Sequence, residues 1–359
     1  MPENDPHARQ DADAIAALLM RLSPAYAATP LLDLPRLAAR LGVAQLLVKD
    51  EGRRMLGSFK SLGGTYAGLR ALARHAGTEV PALLAARPAG LPPLLCASDG
   101  NHGLAVAAAA RMAGGPARIY LHSGVPAVRA ARIEAEGAEI AWVRGTYDDA
   151  VDAAARSARA GGGILVADTT DEPDDPVVGD VMAGYGVMAA EIRRAVDAAG
   201  GATPTHLFVQ AGVGGLAAAM ADGLRGWLAP PAVIVAVEPA TTPSVSAALA
   251  AGSPVRVAGS LDTVAEMLSC GEASAPALRV LQRQGARAMT VSEEALAAAP
   301  VLLHEAGGPA TTASGATGLA GLAAALADAA LAAELGLDAG SRVLLLATEA
   351  DLADPVDGR

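Results

Sequence analysis

Short, nearly uninterrupted runs of apolar residues alternate along this chain with longer stretches of helical pattern, and this alternation constrains the fold most strongly. Seven runs predict buried strands: Leu94–Ala97, Arg118–Leu121, Glu139–Val143, Gly163–Ala167, His206–Gln210, Val233–Val237 and Val343–Ala347. Five stretches predict helices: Gly103–Ala113, Ala127–Glu136, Tyr147–Ala160, Met182–Ala198 and Gly215–Gly226. Apolar strands that alternate with helices are typical of parallel sheets covered by helices on both faces. The sequence therefore predicts an α/β fold.

Charge and cysteine content exclude several classes of protein. The formal net charge is −11 and no run of basic residues occurs, which argues against a nucleic-acid-binding surface. Cys96 and Cys270 lie in no metal-binding spacing, so we expect no metal site. The N-terminus lacks the apolar core of a signal peptide, and no segment has the pattern of a membrane span. We therefore expect a cytoplasmic protein that binds neither nucleic acid nor membrane.

A lysine stands where a turn gives way to a helical pattern, in the segment Gly57-Ser58-Phe59-Lys60. A primary amine can form a Schiff base with an aldehyde if partial burial or a nearby charge lowers its pKa. The apolar neighbours Phe59 and Leu62 favour partial burial of this amine. Most lysines are solvated surface charges, so the segment alone identifies no site.

A polar segment with two glycines, Ser98-Asp99-Gly100-Asn101-His102-Gly103, lies between a predicted strand and a helical stretch. Backbone N–H groups at such a helix start bind anions, including a substrate carboxylate. The glycines allow a ligand to approach the backbone closely. An ordinary helix cap explains the same residues equally well.

Glycines also follow the predicted strand His206–Gln210, in the segment Gly212-Val213-Gly214-Gly215. Glycines at a strand–helix junction can form a phosphate cradle from backbone N–H groups. Together with Glu238 they also fit part of a dinucleotide fingerprint, although Ala217 occupies the position of its third glycine. A nicotinamide-dependent oxidoreductase is therefore an open alternative at this point.

Two further segments lie where α/β folds bind ligands. Ser314–Gly318 opens the last long helical stretch, and Thr348-Glu349 closes the last predicted strand. Ligands of open α/β folds bind outside the carboxyl ends of the strands, where the Thr348 hydroxyl could meet a ring nitrogen. The acidic stretch Asp168–Asp180 is either a crossover between domains or an active-site loop.

The order of these segments resembles that of the fold-type-II pyridoxal 5′-phosphate (PLP) enzymes, which include the tryptophan synthase β chain, cysteine synthase and the serine and threonine dehydratases. Within that family the closest resemblance is to the diaminopropionate ammonia-lyases. It extends from about Tyr26 to Asp351 and is carried mainly by Ser58–Tyr66, Ser98–Gly103, Tyr147–Val151, Met182–Gly186, Thr203–Gly215, Ser269–Glu272, Ser314–Gly318 and Thr348-Glu349. The resemblance implies a homodimer of two-domain subunits, with a large PLP-binding domain (1–77 and 172–359) and a small substrate domain (78–171).

The resemblance also implies roles for individual residues. Lys60 would carry PLP as a Schiff base and Asn101 would bond the ring hydroxyl. Thr348 would face the ring nitrogen, and the backbone of Gly212, Val213, Gly214 and Gly215 would bind the phosphate. The substrate would be held by Ser98, Asp99, Gly100, His102 and Asp168. Lys60 and Asp99 would be the catalytic residues, acting as bases on opposite faces of Cα.

The activity implied is the elimination of ammonia from 2,3-diaminopropionate or a similar small amino acid, giving pyruvate and ammonia. Two acids, Asp99 and Asp168, suit a substrate with a second ammonium group. The chain departs from the ammonia-lyase pattern at Thr170–Pro173, at Ala316 and at Ala350–Leu352, near the expected substrate pocket. These departures leave three alternatives: a serine or threonine dehydratase, a cysteine synthase-like β-replacement enzyme, or a catalytically silent amino-acid-binding protein.

Overall fold

The computed structural model describes residues 6–98 and 100–351, and the account below concerns these residues. Their strands form two sheets. The larger has the order β1-β2-β10-β7-β8-β9 and the smaller the order β5-β4-β3-β6. The strands are β1 (Leu31–Asp33), β2 (Gln45–Asp50), β3 (Leu94–Ala97), β4 (Ala117–His122), β5 (Glu139–Val143), β6 (Ile164–Leu165), β7 (His206–Gln210), β8 (Val233–Pro239), β9 (Arg287–Val291) and β10 (Arg342–Ala347). Neighbouring strands are parallel, apart from β1, which pairs with β2 in the antiparallel direction.

Helices connect the strands and cover the sheets, which confirms the predicted α/β class. They are α1 (Pro6–Leu22), α2 (Pro35–Leu41), α3 (Lys60–His75), α4 (Val80–Ala86), α5 (Asn101–Ala113), α6 (Ala127–Ala135), α7 (Tyr147–Arg159), α8 (Pro176–Ala198), α9 (Gly215–Leu224), α10 (Ser244–Ala251), α11 (Ala275–Arg283), α12 (Glu293–Glu305), α13 (Ala313–Ala327) and α14 (Ala329–Leu335). The central strands β7 and β8 are buried along their whole length, as expected for a sheet covered on both faces.

The predicted elements differ from the structure in a few places. The strand predicted at Gly163–Ala167 is reduced to the two residues of β6, an edge strand that pairs only with β3. The helix predicted from Met182 begins earlier, at Pro176, because the Asp175 carboxylate accepts hydrogen bonds from the N–H groups of Val177 and Val178. The acidic stretch Asp168–Asp180 therefore contains the start of α8.

Strands β1, β2 and β9 were not predicted from apolar runs. In β2 the charged pair Lys49-Asp50 interrupts the run, yet Lys49 is only 1% exposed. Its ammonium lies 2.6 Å from Glu191 Oε2 and donates to the carbonyl oxygen of Thr29 at 2.7 Å. A buried charge is tolerated where opposite charges and hydrogen bonds compensate it, and this compensation comes from distant parts of the chain.

Arg54 joins the same buried ion network and supports the segment that leads to Lys60. Its guanidinium donates to Glu51 at 2.8 Å and to Glu191 at 2.6 Å, and all three side chains are nearly inaccessible to solvent. Another bond from Arg54 reaches the carbonyl oxygen of Ala27 at 2.9 Å. The network, formed by Lys49, Glu51, Arg54 and Glu191, ties the segment before α3 to the middle of α8.

Close helix packing brings the two sheets together around the cavity described below. A Cβ atom at Gly64 of α3 would lie 2.7 Å from the Cβ of Ala105 in α5, and one at Gly68 would lie 2.7 Å from that of Ala109. Only glycine permits so short a separation between these helices. The packing fixes the start of α3, at Lys60, beside the start of α5, at Asn101.

Strands of the larger sheet come from residues 31–50 and 206–347, and those of the smaller sheet from residues 94–165. Among the described residues, no group of three or more histidine, cysteine, aspartate or glutamate side chains could hold a metal ion. No single helix of residues 6–98 and 100–351 has the length and apolar character needed to cross a membrane. Helices α13 and α14, which meet at a sharp bend, satisfy these length and composition criteria only when the two are taken together.

Candidate active site

A cavity opens where β3, β7 and β10 end and α3, α5 and α9 begin. The empty space within it, including its open mouth, is about 960 Å³. Every site residue predicted from the sequence lies on its wall, except Asp99, which lies outside the described residues. Those on the wall are Lys60, Ser98, Gly100, Asn101, His102, Asp168, Gly212, Val213, Gly214, Gly215 and Thr348. The structure thus brings together residues that are up to 288 positions apart, since Lys60 and Thr348 share one wall.

The Lys60 amine forms an ion pair inside this cavity. Its Nζ lies 2.5 Å from Asp168 Oδ2, and the two side chains are 21% and 14% exposed. Burial acts to lower the pKa of Lys60, but the Asp168 carboxylate outweighs it and the pKa is raised. The same pairing overcomes the effect of burial on Asp168 and lowers its pKa. The condition stated from the sequence, a pKa of Lys60 lowered by partial burial or a nearby charge, is therefore not met while Asp168 is paired with the amine.

The glycine segment between β7 and α9 forms a backbone cradle. Gly214 has a φ of +92°, in the left-handed region that favours glycine. A Cβ atom at Gly212 would lie 3.0 Å from the Sγ of Cys270, so no side chain fits there without a shift. The Ser244 hydroxyl donates to the carbonyl oxygen of Gly212 at 2.7 Å and holds the turn in place. The backbone N–H groups of the glycine segment lie at the N-terminus of α9, a position that favours binding of a phosphate.

Asn101 and Glu349 also line the cavity and contact each other there. The Asn101 amide donates to Glu349 Oε2, and the Thr312 hydroxyl donates to Glu349 Oε1 at 2.5 Å. Burial raises the pKa of Glu349, although both hydrogen bonds oppose it. Glu349 was not predicted as a site residue; the Thr348-Glu349 pair at the end of the last strand was the available signal.

Thr348 directly follows the last residue of β10 and lines the cavity. Its oxygen accepts a hydrogen bond from Gln210 Nε2 at 3.2 Å, and the same amide donates to the carbonyl oxygen of Gly315 at 2.7 Å. Because the Thr348 oxygen serves as an acceptor, the hydroxyl can donate its own proton to a ligand. Gln210 therefore orients Thr348, a role that the sequence did not reveal.

The segment Ser98–His102 stands at the start of α5. Ser98 Oγ accepts a hydrogen bond from the N–H of Gly100 at 3.2 Å, but this is not a helix cap, because Gly100 is the N-cap residue of α5 and has no side chain to cap it. His102 is 3% exposed and its Nε2 lies 3.0 Å from the carbonyl oxygen of Val166. Burial lowers the pKa of His102, so the imidazole is neutral near pH 7. Substrate binding by these residues stays a prediction.

Glu238, the acidic residue of the partial dinucleotide fingerprint, stabilises the start of a helix in the structure. It is fully buried, and its carboxylate accepts hydrogen bonds from the N–H groups of Val245 at 2.6 Å and Ser246 at 2.8 Å. It also accepts from the hydroxyl of Ser246 at 2.6 Å, whereas the Ser244 hydroxyl, 3.2 Å from Glu238, donates its single proton to the nearer carbonyl oxygen of Gly212. Glu238 thus caps α10 and is not directed at a ribose, which removes the observation that supported a nicotinamide cofactor.

The described departures from the ammonia-lyase pattern do not line the cavity, and Leu352 lies outside the described residues. Ala316 is 2% exposed and packs in the core beneath the larger sheet. Neither Ala316 nor residues 170–173 belong to the described cavity wall, and Ala350 lines a smaller neighbouring pocket. Tyr185, Gln210, Met267 and Cys270 line the cavity instead, although the sequence did not predict them as site residues. Of these, Tyr185, Gln210 and Cys270 fall within segments that carry the resemblance.

Comparisons with known proteins agree with this geometry. The family model described as pyridoxal-phosphate dependent enzyme matches residues 22–349. Diaminopropionate ammonia-lyase of Salmonella typhimurium is 32% identical, over 93% of this chain and 87% of its own. The crystal structure of the Escherichia coli enzyme with an aminoacrylate-PLP azomethine reaction intermediate is similar, with a TM-score of 0.84 and 30% identity over 98% of this chain and 91% of that one. The apo form of the same enzyme has a TM-score of 0.79 and 28% identity, with the same coverage.

Proposed function

The chain belongs to the family of pyridoxal-phosphate-dependent enzymes, and we propose from this premise that it eliminates ammonia from 2,3-diaminopropionate, giving pyruvate and ammonia. The similar diaminopropionate ammonia-lyases match more than nine-tenths of its length. The observation that carries the proposal is the placement of Lys60, paired with Asp168, in one cavity with the glycine cradle of Gly212–Gly215. This arrangement offers an amine, an acid for a cationic substrate and a phosphate site.

The residues of the cavity fit PLP. The amine of Lys60 stands on the cavity wall, the glycine cradle leaves no room for a side chain at Gly212, and the Thr348 hydroxyl has a proton to donate. When bound, PLP supplies an electron sink that stabilises the negative charge left on Cα when its proton departs. Lys60 would hold the aldehyde and the cradle the phosphate. Asn101 would bond the ring hydroxyl and Thr348 the ring nitrogen.

Lys60 then serves as a base once a substrate has replaced it. Its neutral Nζ takes the Cα proton of the L-isomer, while the electron pair of the C–H bond remains with the substrate. Asp99, by the resemblance alone, would take the proton of the D-isomer from the opposite face. Proton transfer by a well-placed group contributes roughly 10²- to 10⁴-fold to such rates. The β-amino group departs as ammonia, and hydrolysis of the remaining product releases pyruvate and a second ammonia.

Asp168 favours a diamino acid over serine or threonine. Its carboxylate is paired with the Lys60 ammonium in the unliganded chain and stays ionised because that pairing lowers its pKa. When Lys60 is engaged elsewhere, the carboxylate needs another cation, and the second ammonium of diaminopropionate supplies one. A serine hydroxyl carries no charge and compensates Asp168 less well.

A substrate panel tests the proposal. Pyruvate or another 2-oxoacid is measured with L- and D-2,3-diaminopropionate, L-serine, L-threonine and O-acetylserine at equal concentration. We expect both diaminopropionate isomers to react at least about tenfold faster than the others. A preference for serine, threonine or O-acetylserine would instead identify a dehydratase or β-replacement enzyme. The Asp99→Asn variant should lose activity on the D-isomer far more than on the L-isomer, whereas equal losses would refute two bases.

We also propose that the enzyme is a cytoplasmic homodimer and that its subunit divides into a large domain (1–77 and 172–359) and a small one (78–171). The support for the dimer is the family resemblance, and the support for the division is that each sheet takes its strands from one of these parts. Light scattering during size-exclusion chromatography tests the dimer. Limited proteolysis near residues 78 and 171 tests the division.

A further inference from the structure

Tyr185 lies on the cavity wall next to Lys60, but the elimination proposed above assigns it no role. It comes from the middle of α8, and its ring centroid lies 4.8 Å from that of Phe59. The ring packs against α3 so tightly that a Cβ atom at Gly63 would lie 2.4 Å from its Cε1. The side chain is only 1% exposed, so its position is fixed by packing on several sides.

The hydroxyl of Tyr185 has no hydrogen-bond partner among the described residues. An unpaired buried hydroxyl is destabilising, and such a group in a folded protein calls for an explanation. Tyr26 shows the usual arrangement: it is 2% exposed, and its hydroxyl donates to the Thr65 hydroxyl on α3 at 2.9 Å. The contrast between the two tyrosines indicates that the hydroxyl of Tyr185 acquires its partner from within the cavity.

Lys60 is the group that can donate a hydrogen bond to the Tyr185 hydroxyl. Its Nζ lies 6.0 Å from the centroid of the Tyr185 ring and 5.5 Å from that of Phe59. An ammonium has three protons to donate, and Asp168 accepts one of them. The titratable groups that face Lys60 are Asp168, Tyr185, Cys270, Cys96, His102 and Glu349. Burial raises the pKa of Tyr185, so its hydroxyl is neutral near pH 7 and its oxygen can accept a hydrogen bond.

We propose that Tyr185 is a positioning residue for Lys60, whose hydroxyl oxygen accepts a hydrogen bond from Nζ as that amine takes the Cα proton. This role rests on the elimination proposed above. The proton moves from Cα to Nζ, the electron pair of the C–H bond stays with the substrate, and the hydroxyl of Tyr185 keeps its own proton. When the second ammonium of the substrate draws Asp168 away, Tyr185 remains as a neutral acceptor that steadies the new ammonium.

The Tyr185→Phe variant tests this role kinetically. A hydrogen bond to a charged group is about twice as strong as one between neutral groups, so its loss raises the barrier to proton transfer. We expect kcat to fall about tenfold, with KM changed less than about twofold because the proposed hydrogen bond is made to Lys60 and not to the substrate. The hydroxyl oxygen of Tyr185 stabilises the protonated form of Lys60, so its removal lowers the pKa of the free Lys60 amine. The acidic limb of the kcat profile, which reports that base, therefore moves to lower pH.

Labelling of Lys60 in the full-length, cofactor-free protein gives a readout that needs no activity. The chain contains only two lysines, Lys49 and Lys60, so trace acetic anhydride and peptide mass spectrometry report each separately. In the Asp168→Asn background the carboxylate no longer holds the Lys60 ammonium, so the Tyr185 hydroxyl can accept from it, and removing that hydroxyl increases the neutral fraction of Lys60. We therefore expect Tyr185→Phe in this background to accelerate labelling of Lys60 about fivefold, while Lys49, buried in its ion network, stays unchanged.

Tyr26→Phe is the matched control, since it removes a buried hydroxyl from a residue that also contacts α3. It should lower the thermal unfolding temperature and leave Lys60 labelling unchanged. Tyr185→Phe, which removes an unpaired hydroxyl, should not lower that temperature. Unchanged labelling of Lys60 would overturn the role of Tyr185, as would destabilisation equal to that of Tyr26→Phe. Because labelling requires no substrate, it decides the matter even if none of the amino acids tested reacts.

Discussion

Lys60 and Asp168, 108 residues apart in sequence, form an ion pair with 2.5 Å between Nζ and Oδ2 on the wall of the cavity. Lys60 begins α3, whereas Asp168 follows the short edge strand β6 of the smaller sheet. The pair therefore links the two sheets at the point where the proposed chemistry occurs. It also explains why a buried amine keeps a raised pKa until a ligand separates it from its carboxylate.

Replacing Asp168 by asparagine tests the role of this carboxylate. The neutral amide cannot compensate a substrate ammonium, so we expect kcat/KM for diaminopropionate to fall at least about 100-fold, and that for serine to fall much less. Loss of the counter-charge also lowers the pKa of Lys60, which moves the acidic limb of the kcat profile to lower pH. Asp174→Asn, in the exposed pair with Arg279, is the control and should change neither quantity. Equal losses for both substrates would contradict substrate recognition by Asp168.

The glycine cradle should bind PLP only with its present backbone conformation. Gly214→Ala forces a side chain into the left-handed region at a φ of +92°, at a cost of about 1–2 kcal/mol, and brings its Cβ 3.1 Å from Val245. We expect the affinity for PLP, measured by equilibrium dialysis, to fall about tenfold or more.

Gly252→Ala serves as the matched control for the cradle. Gly252 has a φ of +77° at the end of α10, and no atom lies within 4 Å of an added Cβ there. Its replacement should decrease stability through the same backbone strain and leave PLP affinity unchanged. A similar loss of affinity in both variants would show that general destabilisation, and not the cradle, determines cofactor binding.

The buried ion network should dominate the stability of the segment that leads to Lys60. Glu191→Gln leaves the charges of Lys49 and Arg54 undercompensated in a site that is almost inaccessible to solvent, so we expect the free energy of unfolding to fall by about 3–5 kcal/mol. Urea unfolding followed by circular dichroism measures this loss. Glu139→Gln, in the exposed pair with Arg118, should change stability by less than about 0.5 kcal/mol. A loss below about 1 kcal/mol for Glu191→Gln would refute the account of the network.

Local sequence signals predicted the parts of the site that depend on backbone geometry. Lys60 at the start of a helix and Gly212–Gly215 at a strand–helix junction were visible because turns and helix starts have their own residue preferences. The strand β2 was missed because its Lys49 is neutralised by Glu191, 142 residues away. Such pairing belongs to the tertiary structure and leaves no periodic trace in the sequence.

The same limit applies to the side chains that complete the cavity. Tyr185 lies in a long helix in which many positions are apolar, and only the packing of α8 against α3 places its ring centroid 6.0 Å from Nζ of Lys60. Glu349 follows β10 of the larger sheet and meets Asn101, which begins the helix after β3 of the smaller sheet. The direction of the pKa shift of Lys60 also depends on Asp168, whose position could not be derived from spacing along the chain.

Covalent trapping of the cofactor tests the central claim most directly. The purified protein with PLP is reduced with borohydride, digested and mapped by mass spectrometry, with Lys49 as the internal comparison because the chain contains no third lysine. We expect the phosphopyridoxyl mass on Lys60 alone, and no stable adduct in Lys60→Ala. An adduct on Lys49, or one that survives in Lys60→Ala, would contradict the assignment of Lys60 as the residue that carries PLP.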